Sequence, residues 1–235
     1  MKKRFGLAPR DLAVWAGTYT VITASFLLFG GEGLLSFAAS LIGASSLILC
    51  AKGLPAGQAL MIAFSLLYGV ISYSCAYYGE MITYLGMTAP MAAASLISWI
   101  KHPYAEKGGE VEVGRVSAGA ALLTALSTAA VTLLFYFVLK VFGTARLPLS
   151  TLSVTTSFAA VCLTYLRSEY FALAYALNDI VLLGLWIPAA AQEQRYVPTA
   201  VCFGIFLVND LYGFLNWKKM KRRQRQPLPR FMHSY

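Results

Sequence analysis

Eight apolar stretches, each close to the length of a membrane span, dominate this chain and restrict it to one class of fold. They run Leu12–Gly30, Leu34–Ala51, Ala59–Tyr78, Met81–Ile100, Val116–Leu139, Leu147–Leu166, Tyr170–Ala191 and Val197–Trp217. About 20 apolar residues in helical form cross a hydrocarbon core of about 30 Å. A soluble domain cannot bury this much: 58% of the residues are hydrophobic and only 12% charged, against roughly 25% charged in soluble proteins. The fold class is an all-α membrane protein with eight predicted transmembrane helices.

Charge placement tests that count. The net charge is +9, concentrated in Lys2, Lys3, Arg4 and Arg10 at one end and in Lys218, Lys219, Lys221, Arg222, Arg223, Arg225 and Arg230 at the other. With the N-terminus in the cytoplasm, the inner loops hold Lys52, then Lys101, His102, Lys107 and Arg115, then Arg167. The outer loops hold Glu32, Glu80, Arg146, and Glu193 with Arg195. That bias satisfies the positive-inside rule, with Lys140 and Arg146 as exceptions. Both termini are expected on the cytoplasmic side of a bacterial inner membrane. The basic tail reads as membrane topology and not as a nucleic-acid site. The first apolar stretch is too long for a signal peptide and is expected to stay as an anchor.

An internal repeat is suggested by two helix ends, Ser98-Trp99-Ile100-Lys101 and Asn216-Trp217-Lys218-Lys219. Aligning them gives an extra N-terminal helix plus a 3+1+3 parallel repeat: 1–33 basic N-terminus and anchor, 34–100 first triplet, 101–146 cytoplasmic loop and linker helix, 147–217 second triplet, 218–235 basic tail. Trp99 and Trp217 equally fit an interfacial aromatic belt, where Trp-Lys ends are common.

Ionisable and amide groups within a span are expensive and face a bundle interior or a wet cavity. Two pairs stand out, Asn178-Asp179 and Asn209-Asp210. Helical spacing places Tyr175, Asp179 and Trp186 on one face and Asn209, Tyr212 and Asn216 on another. Ser65, Tyr68 and Ser72 form a stripe, as do Tyr84, Thr88, Ser95 and Trp99; Tyr73, Tyr77 and Glu80 precede the fourth span. Two readings stand open. One is a pocket in which aromatic faces stack on a planar ring, Asn and Asp grip its polar groups, and Asp179 offsets a cationic ring. The other is hydrogen-bonded glue between helices. Candidate substrate-binding residues are Tyr68, Ser72, Tyr84, Thr88, Tyr175, Asn178, Asp179, Trp186, Asn209, Asp210 and Tyr212, with Glu80 as a gate or a cap.

Much is absent. No phosphate-binding loop of the GxxxxGK[ST] type and no HExxH occurs, and the only histidines, His102 and His233, lie in polar stretches. No cofactor, no metal and no catalytic residue is expected. Cys50, Cys75, Cys162 and Cys202 sit in apolar runs and imply no disulfide. One enzyme remains as a remote alternative, an intramembrane aspartyl protease using Asp179 and Asp210.

Three stretches carry a family resemblance: Ser65-Leu66-Leu67-Tyr68-Gly69-Val70-Ile71-Ser72-Tyr73 with Tyr77-Tyr78-Gly79-Glu80-Met81; Tyr175-Ala176-Leu177-Asn178-Asp179 with Leu185-Trp186; and Phe206-Leu207-Val208-Asn209-Asp210-Leu211-Tyr212-Gly213-Phe214 with Asn216-Trp217-Lys218. The chain resembles the PnuC family of nicotinamide riboside carriers, whose fold is related to the SWEET sugar carriers. The resemblance implies facilitated diffusion of a vitamin precursor, trapping by a cytoplasmic kinase, a homotrimer, and substrate-facing asparagines at Asn178 and Asn209. It departs in one place. Riboside carriers place tryptophans shortly before the first asparagine, where this chain has Phe171, Ala174 and Tyr175. Relatives carrying thiamine, riboflavin or a deoxynucleoside are therefore the alternative.

Overall fold

The structure is a computed structural model that describes residues 7–30, 33–74, 78–104, 109–144 and 146–226, with the side chains of 74 and 78–80 left out. Cys75, Tyr77, Lys107, Arg230 and His233, and the side chain of Glu80, thus lie outside the described residues. Nine α-helices occur among the described residues: α1 (Pro9–Phe29), α2 (Leu34–Ala51), α3 (Pro55–Ser74), α4 (Tyr78–Thr83), α5 (Ala89–Lys101), α6 (Ala118–Val141), α7 (Leu147–Tyr165), α8 (Phe171–Gln192) and α9 (Val197–Arg225). A π-helical turn over Tyr84–Thr88 joins α4 to α5, so among the described residues eight helices are long and apolar enough to cross a membrane.

Prolines shape several of these boundaries. Pro55 opens α3 earlier than the apolar run suggests, because a first-turn residue needs no N–H partner. Pro90 has no N–H for the carbonyl four residues back and crowds it, and the helix widens into its π turn just there. Pro188 inside α8 likewise frees the carbonyl of Gly184. The Arg146 guanidinium donates to that oxygen at 3.2 Å. At its far end α9 runs on to Arg225, past the apolar limit at Trp217. The added turns are held by the 101–115 loop: Gln224 Oε1 accepts from the Val113 N–H at 2.8 Å, and Arg223 pairs with Glu110.

Two sets of helices are packed internally, α2 with α3 and α3 with α5, then α7 with α8 and α8 with α9. The sets meet through α2 against α9 and α5 against α7. The α1 helix lies outside them, on α2 and α9. The α6 helix packs on α7 and shows Leu122, Leu123, Leu126, Leu133, Leu134 and Phe137 on its exposed face. Such a face is at home in lipid, where apolar side chains meet no water.

One end of the bundle carries Lys52, Lys101, Arg167 and Lys218, and is called the basic end below. Here α2 and α7 finish in the same turn. Gly53 (φ 66°) and Arg167 (φ 55°) are left-handed. Leu54 N–H donates to Leu49 O, and Ser168 N–H to Leu163 O, as a Schellman turn requires. Each turn then receives an indole from the other set. Trp217 Nε1 donates to Cys50 O at 2.8 Å and Trp99 Nε1 donates to Thr164 O at 2.9 Å. The two rings lie 5.3 Å apart, and Phe171 packs edge-on to Trp217 at 4.8 Å. Both tryptophans are fully buried, so the belt reading is corrected. Their N–H groups are satisfied by helix ends and not by interfacial water, and the rings plug the basic end.

Candidate functional site

A cavity of about 140 Å³ lies between α2, α3, the π turn, α7, α8 and α9. A water needs roughly 10–15 Å³ of such space, so about ten would fit. Its lining runs from Leu47 and Val161, about one helical turn from the basic ends of α2 and α7, past Asp210 to Thr144 and Ser150 near the opposite end. The tryptophan pair lies beyond the basic-end limit of that lining.

One wall is aromatic and belongs to the first set of helices. Tyr68 stands 4.7 Å from Tyr84 and 5.4 Å from Phe64, centroid to centroid. Small residues make the room for it. A Cβ on Gly43 would come within 2.9 Å of Phe206 and 3.0 Å of Phe64. The π turn brings Tyr84 and Thr88 to the lining. Facing them, Trp186 of α8 stacks on Phe203 of α9 at 6.3 Å and 22°.

The polar wall belongs to the second set. Asn178 and Asp179 of α8 and Asp210 of α9 line the cavity, and each is buried. The Asp179 and Asp210 carboxyls line the same cavity from neighbouring helices. Asp179 Oδ2 has no partner among the described residues. The lining contains no lysine, arginine or histidine. Asn178 Oδ1 accepts from Thr156 at 2.9 Å and Ser153 at 3.2 Å, both on α7.

Of the residues singled out from the sequence, Tyr68, Tyr84, Thr88, Tyr175, Asn178, Asp179, Trp186 and Asp210 line this cavity. Ser72, Asn209 and Tyr212 do not. Ser72 is buried in α3, its hydroxyl without a partner among the described residues. Asn209 accepts from Thr18 at 3.2 Å, and Tyr212 donates to Asp11, so both face α1. Neighbours in a helix point about 100° apart, and Asp210 turned inward leaves Asn209 turned out. Glu80, proposed as gate or cap, lies outside the described side chains.

Phe64, Phe203, Phe206, Ser153 and Ser157 also line the cavity and were not anticipated. Spacing held a partial signal for them. Phe203, Phe206 and Asp210 follow i, i+3, i+7, as do Ser150, Ser153 and Ser157. Phenylalanines in an apolar span carry no chemical mark that separates cavity wall from core.

The comparisons with known proteins agree with one another. A family model described as nicotinamide mononucleotide transporter matches residues 33–219. A nicotinamide riboside transporter PnuC of Neisseria mucosa is 26% identical over 90% of this chain and 82% of its own length. One of Haemophilus influenzae is 24% identical over 89% of this chain and 90% of its own. The crystal structure of the vitamin B3 transporter PnuC superposes with a TM-score of 0.79, covering 93% of this chain and 94% of that one at 22% identity, so the fold is shared. These matches replace the protease alternative. The chain belongs to the nicotinamide mononucleotide transporter family, and is a multi-pass membrane transporter and not an enzyme.

Proposed function

We propose that the protein carries nicotinamide riboside, a vitamin precursor with a charged planar ring, across a bacterial cytoplasmic membrane by facilitated diffusion. The observation that carries this reading is the cavity, with ring faces from both sets of helices and amide and carboxyl groups from the second. Tyr68, Tyr84 and Trp186 stack on the ring. The Asn178 oxygen already accepts two hydroxyls, so its amide NH₂ is the part left to donate to ribose. The names of the two curated relatives support the substrate.

In this reading residues 34–100 and 147–217 are two three-helix repeats joined through 101–146, and they rock about the cavity. The matching turns at Gly53 and Arg167 and the reciprocal indole bonds support that division. The tryptophan plug is then the closed inner gate, and the cavity reaches toward the outside. The basic end is cytoplasmic by the positive-inside rule, with both termini there. Transport is by uniport in this reading, and phosphorylation by a cytoplasmic kinase makes uptake one-way. A homotrimer is part of the reading, with the exposed apolar face of α6 open to lipid or to a second copy.

A second reading keeps the fold and changes the cargo to thiamine, riboflavin or a deoxynucleoside. It is favoured by the turn before Asn178, where Phe171 packs in the plug and Tyr175 alone reaches the cavity. Uptake of labelled nicotinamide riboside into proteoliposomes tests the first reading, with and without entrapped kinase and ATP, for the wild type and Asn178→Ala. Saturable uptake that equilibrates alone, accumulates with kinase and fails in the variant is expected. No uptake by correctly inserted protein rules that cargo out, and the alternatives are tried in the same vesicles.

A further inference from the structure

We propose that Gly43 is a specificity-determining residue: the bare backbone at this turn of α2 sets how far two phenylalanine rings stand back from the cavity, and so how large a ring the cavity takes. The inference rests on the transport reading above and deepens it from cargo to cargo size.

The rings that face the cavity form one line of contacts. Tyr84 and Tyr68 lie 4.7 Å apart, Tyr68 and Phe64 5.4 Å, Phe64 and Phe206 6.2 Å, Phe206 and Phe203 5.9 Å, and Phe203 and Trp186 6.3 Å. The contact between Phe64 and Phe206 joins the rings of the first set to those of the second. Gly43 sits against this junction and lines the cavity together with both rings. A Cβ there would meet Phe206 Cζ at 2.9 Å and Phe64 Cδ2 at 3.0 Å, well inside the about 3.5–4.0 Å at which carbon atoms attract.

What yields to that Cβ decides its effect. The α2 helix has little freedom to retreat. One turn on, Ser46 Oγ donates to Gly57 O at 2.8 Å. A Cβ on Gly57 would lie 2.6 Å from the Cys50 nitrogen, so α2 and α3 already touch backbone to backbone. The ring ends are the softer side. Both rings also border a second space, beside Ser36, Ser40 and Thr199, but it amounts to about 10 Å³, room for about one water and not for a displaced ring. The cavity, at about 140 Å³, is where the rings can go. Gly43→Ala therefore thickens the aromatic wall and shortens the space in front of it, while Asn178, Asp179 and Asp210 keep their places.

The test measures saturable uptake of nicotinamide riboside, thiamine, riboflavin and deoxyuridine into proteoliposomes, and follows whichever solute the wild type carries. Gly43→Ala is expected to raise the KM for that solute about tenfold, the scale of one overpacked contact, with the maximal rate kept within about threefold. With Phe206→Leu already present, the same change should cost about threefold or less, because the nearest obstructing atom is gone. Gly204→Ala, in α9 with nothing within 4 Å, should leave the KM unchanged, and controls for a methyl added to a helix. Riboside uptake that Gly43→Ala leaves untouched overturns the size limit and keeps the riboside reading. A tenfold loss that Phe206→Leu leaves in full also overturns it, and places residue 43 in helix packing alone. So does a Gly43→Ala chain that does not insert, since the rings would then not be what gives way. Thiamine uptake without riboside uptake sinks the riboside reading, and the same KM comparison on thiamine decides the size limit. A wild type that carries none of the four sinks both.

Discussion

Replacing Trp217 by phenylalanine should loosen the basic end by a calculable amount. Its indole is fully buried and donates to Cys50 O at 2.8 Å. That carbonyl also accepts the Gly53 N–H at 2.9 Å, so the substitution removes one bond without orphaning the oxygen, a net loss of about 1 kcal/mol. The smaller ring leaves a void beside Trp99 and Phe171 that adds about 1 kcal/mol. Both losses fall on the closed end alone, so the equilibrium between closed and open should move by about 2 kcal/mol, or about 30-fold. Cys50 reports it, being 3% exposed directly under the ring. In a background lacking Cys75, Cys162 and Cys202, alkylation of Cys50 from the side of the basic end should quicken by about that factor. Trp99→Phe should act alike, because Thr164 O keeps the Arg167 N–H at 3.0 Å. The rings touch, so the double variant should fall short of the sum. Unchanged Cys50 reactivity in both variants, with a lowered melting temperature, would refute the gate and leave the pair as packing.

Other substitutions test the frame around the site. Asp11 is wholly buried and paired with Lys52 at 2.9 Å. Since the lysine is 17% exposed, Asp11→Ala should cost about 2 kcal/mol, below the 3–5 kcal/mol of a fully buried pair, and a thermal melt in detergent reads it. Gly57→Ala would set a Cβ 2.6 Å from the Cys50 nitrogen and 2.9 Å from Ser46 O; the α2–α3 crossing should open at about 2 kcal/mol. Gly17→Ala, with nothing within 4 Å, should instead leave stability equal or raise it by up to about 1 kcal/mol. Trp186→Ala should raise the KM of uptake about fivefold, one ring contact being worth roughly 1 kcal/mol, and an unchanged KM would remove Trp186 from the site.

The spans were legible because lipid demands about 20 apolar residues at a stretch, and their number follows from that alone. Their ends were less so. Apolar length does not say that Pro55 begins a helix or that basic residues continue one to Arg225. The acids were legible for an energetic reason, since a charge in a span needs a purpose. The face each one takes was not. Asn209 and Asp210 carry the same signal, yet one meets Thr18 of α1 and the other the cavity. A helical wheel gives relative directions only, and the position of α1, outside the two packed sets, decides which direction is inward. The tryptophans were read as a belt because Trp-Lys marks an interface; only the matching turns at Gly53 and Arg167 reveal that each indole has a carbonyl waiting in the opposite set.

The division of the cavity between the two sets bears on how binding drives movement. Asp179, Asp210 and Asn178 all belong to α8 and α9, which pack on each other. The α7 hydroxyls that hold Asn178 belong to the second set as well. Phe64, Tyr68 and Tyr84 belong to the first. If the two sets rock as proposed, a solute held by the acids alone touches one body and does not bias its position against the other, because a ligand shifts an equilibrium only by its differential affinity for the two states. A solute that also stacks on Tyr84 spans both bodies and can favour the arrangement in which they close around it. Tyr84→Ala should therefore leave binding of a cationic riboside within about threefold, as measured by calorimetry, since the polar contacts with the second set persist. Exchange across the membrane should slow by about tenfold, as the bridging contact is lost. Equal losses in binding and exchange would place Tyr84 in simple affinity and assign the coupling to other residues of the first set.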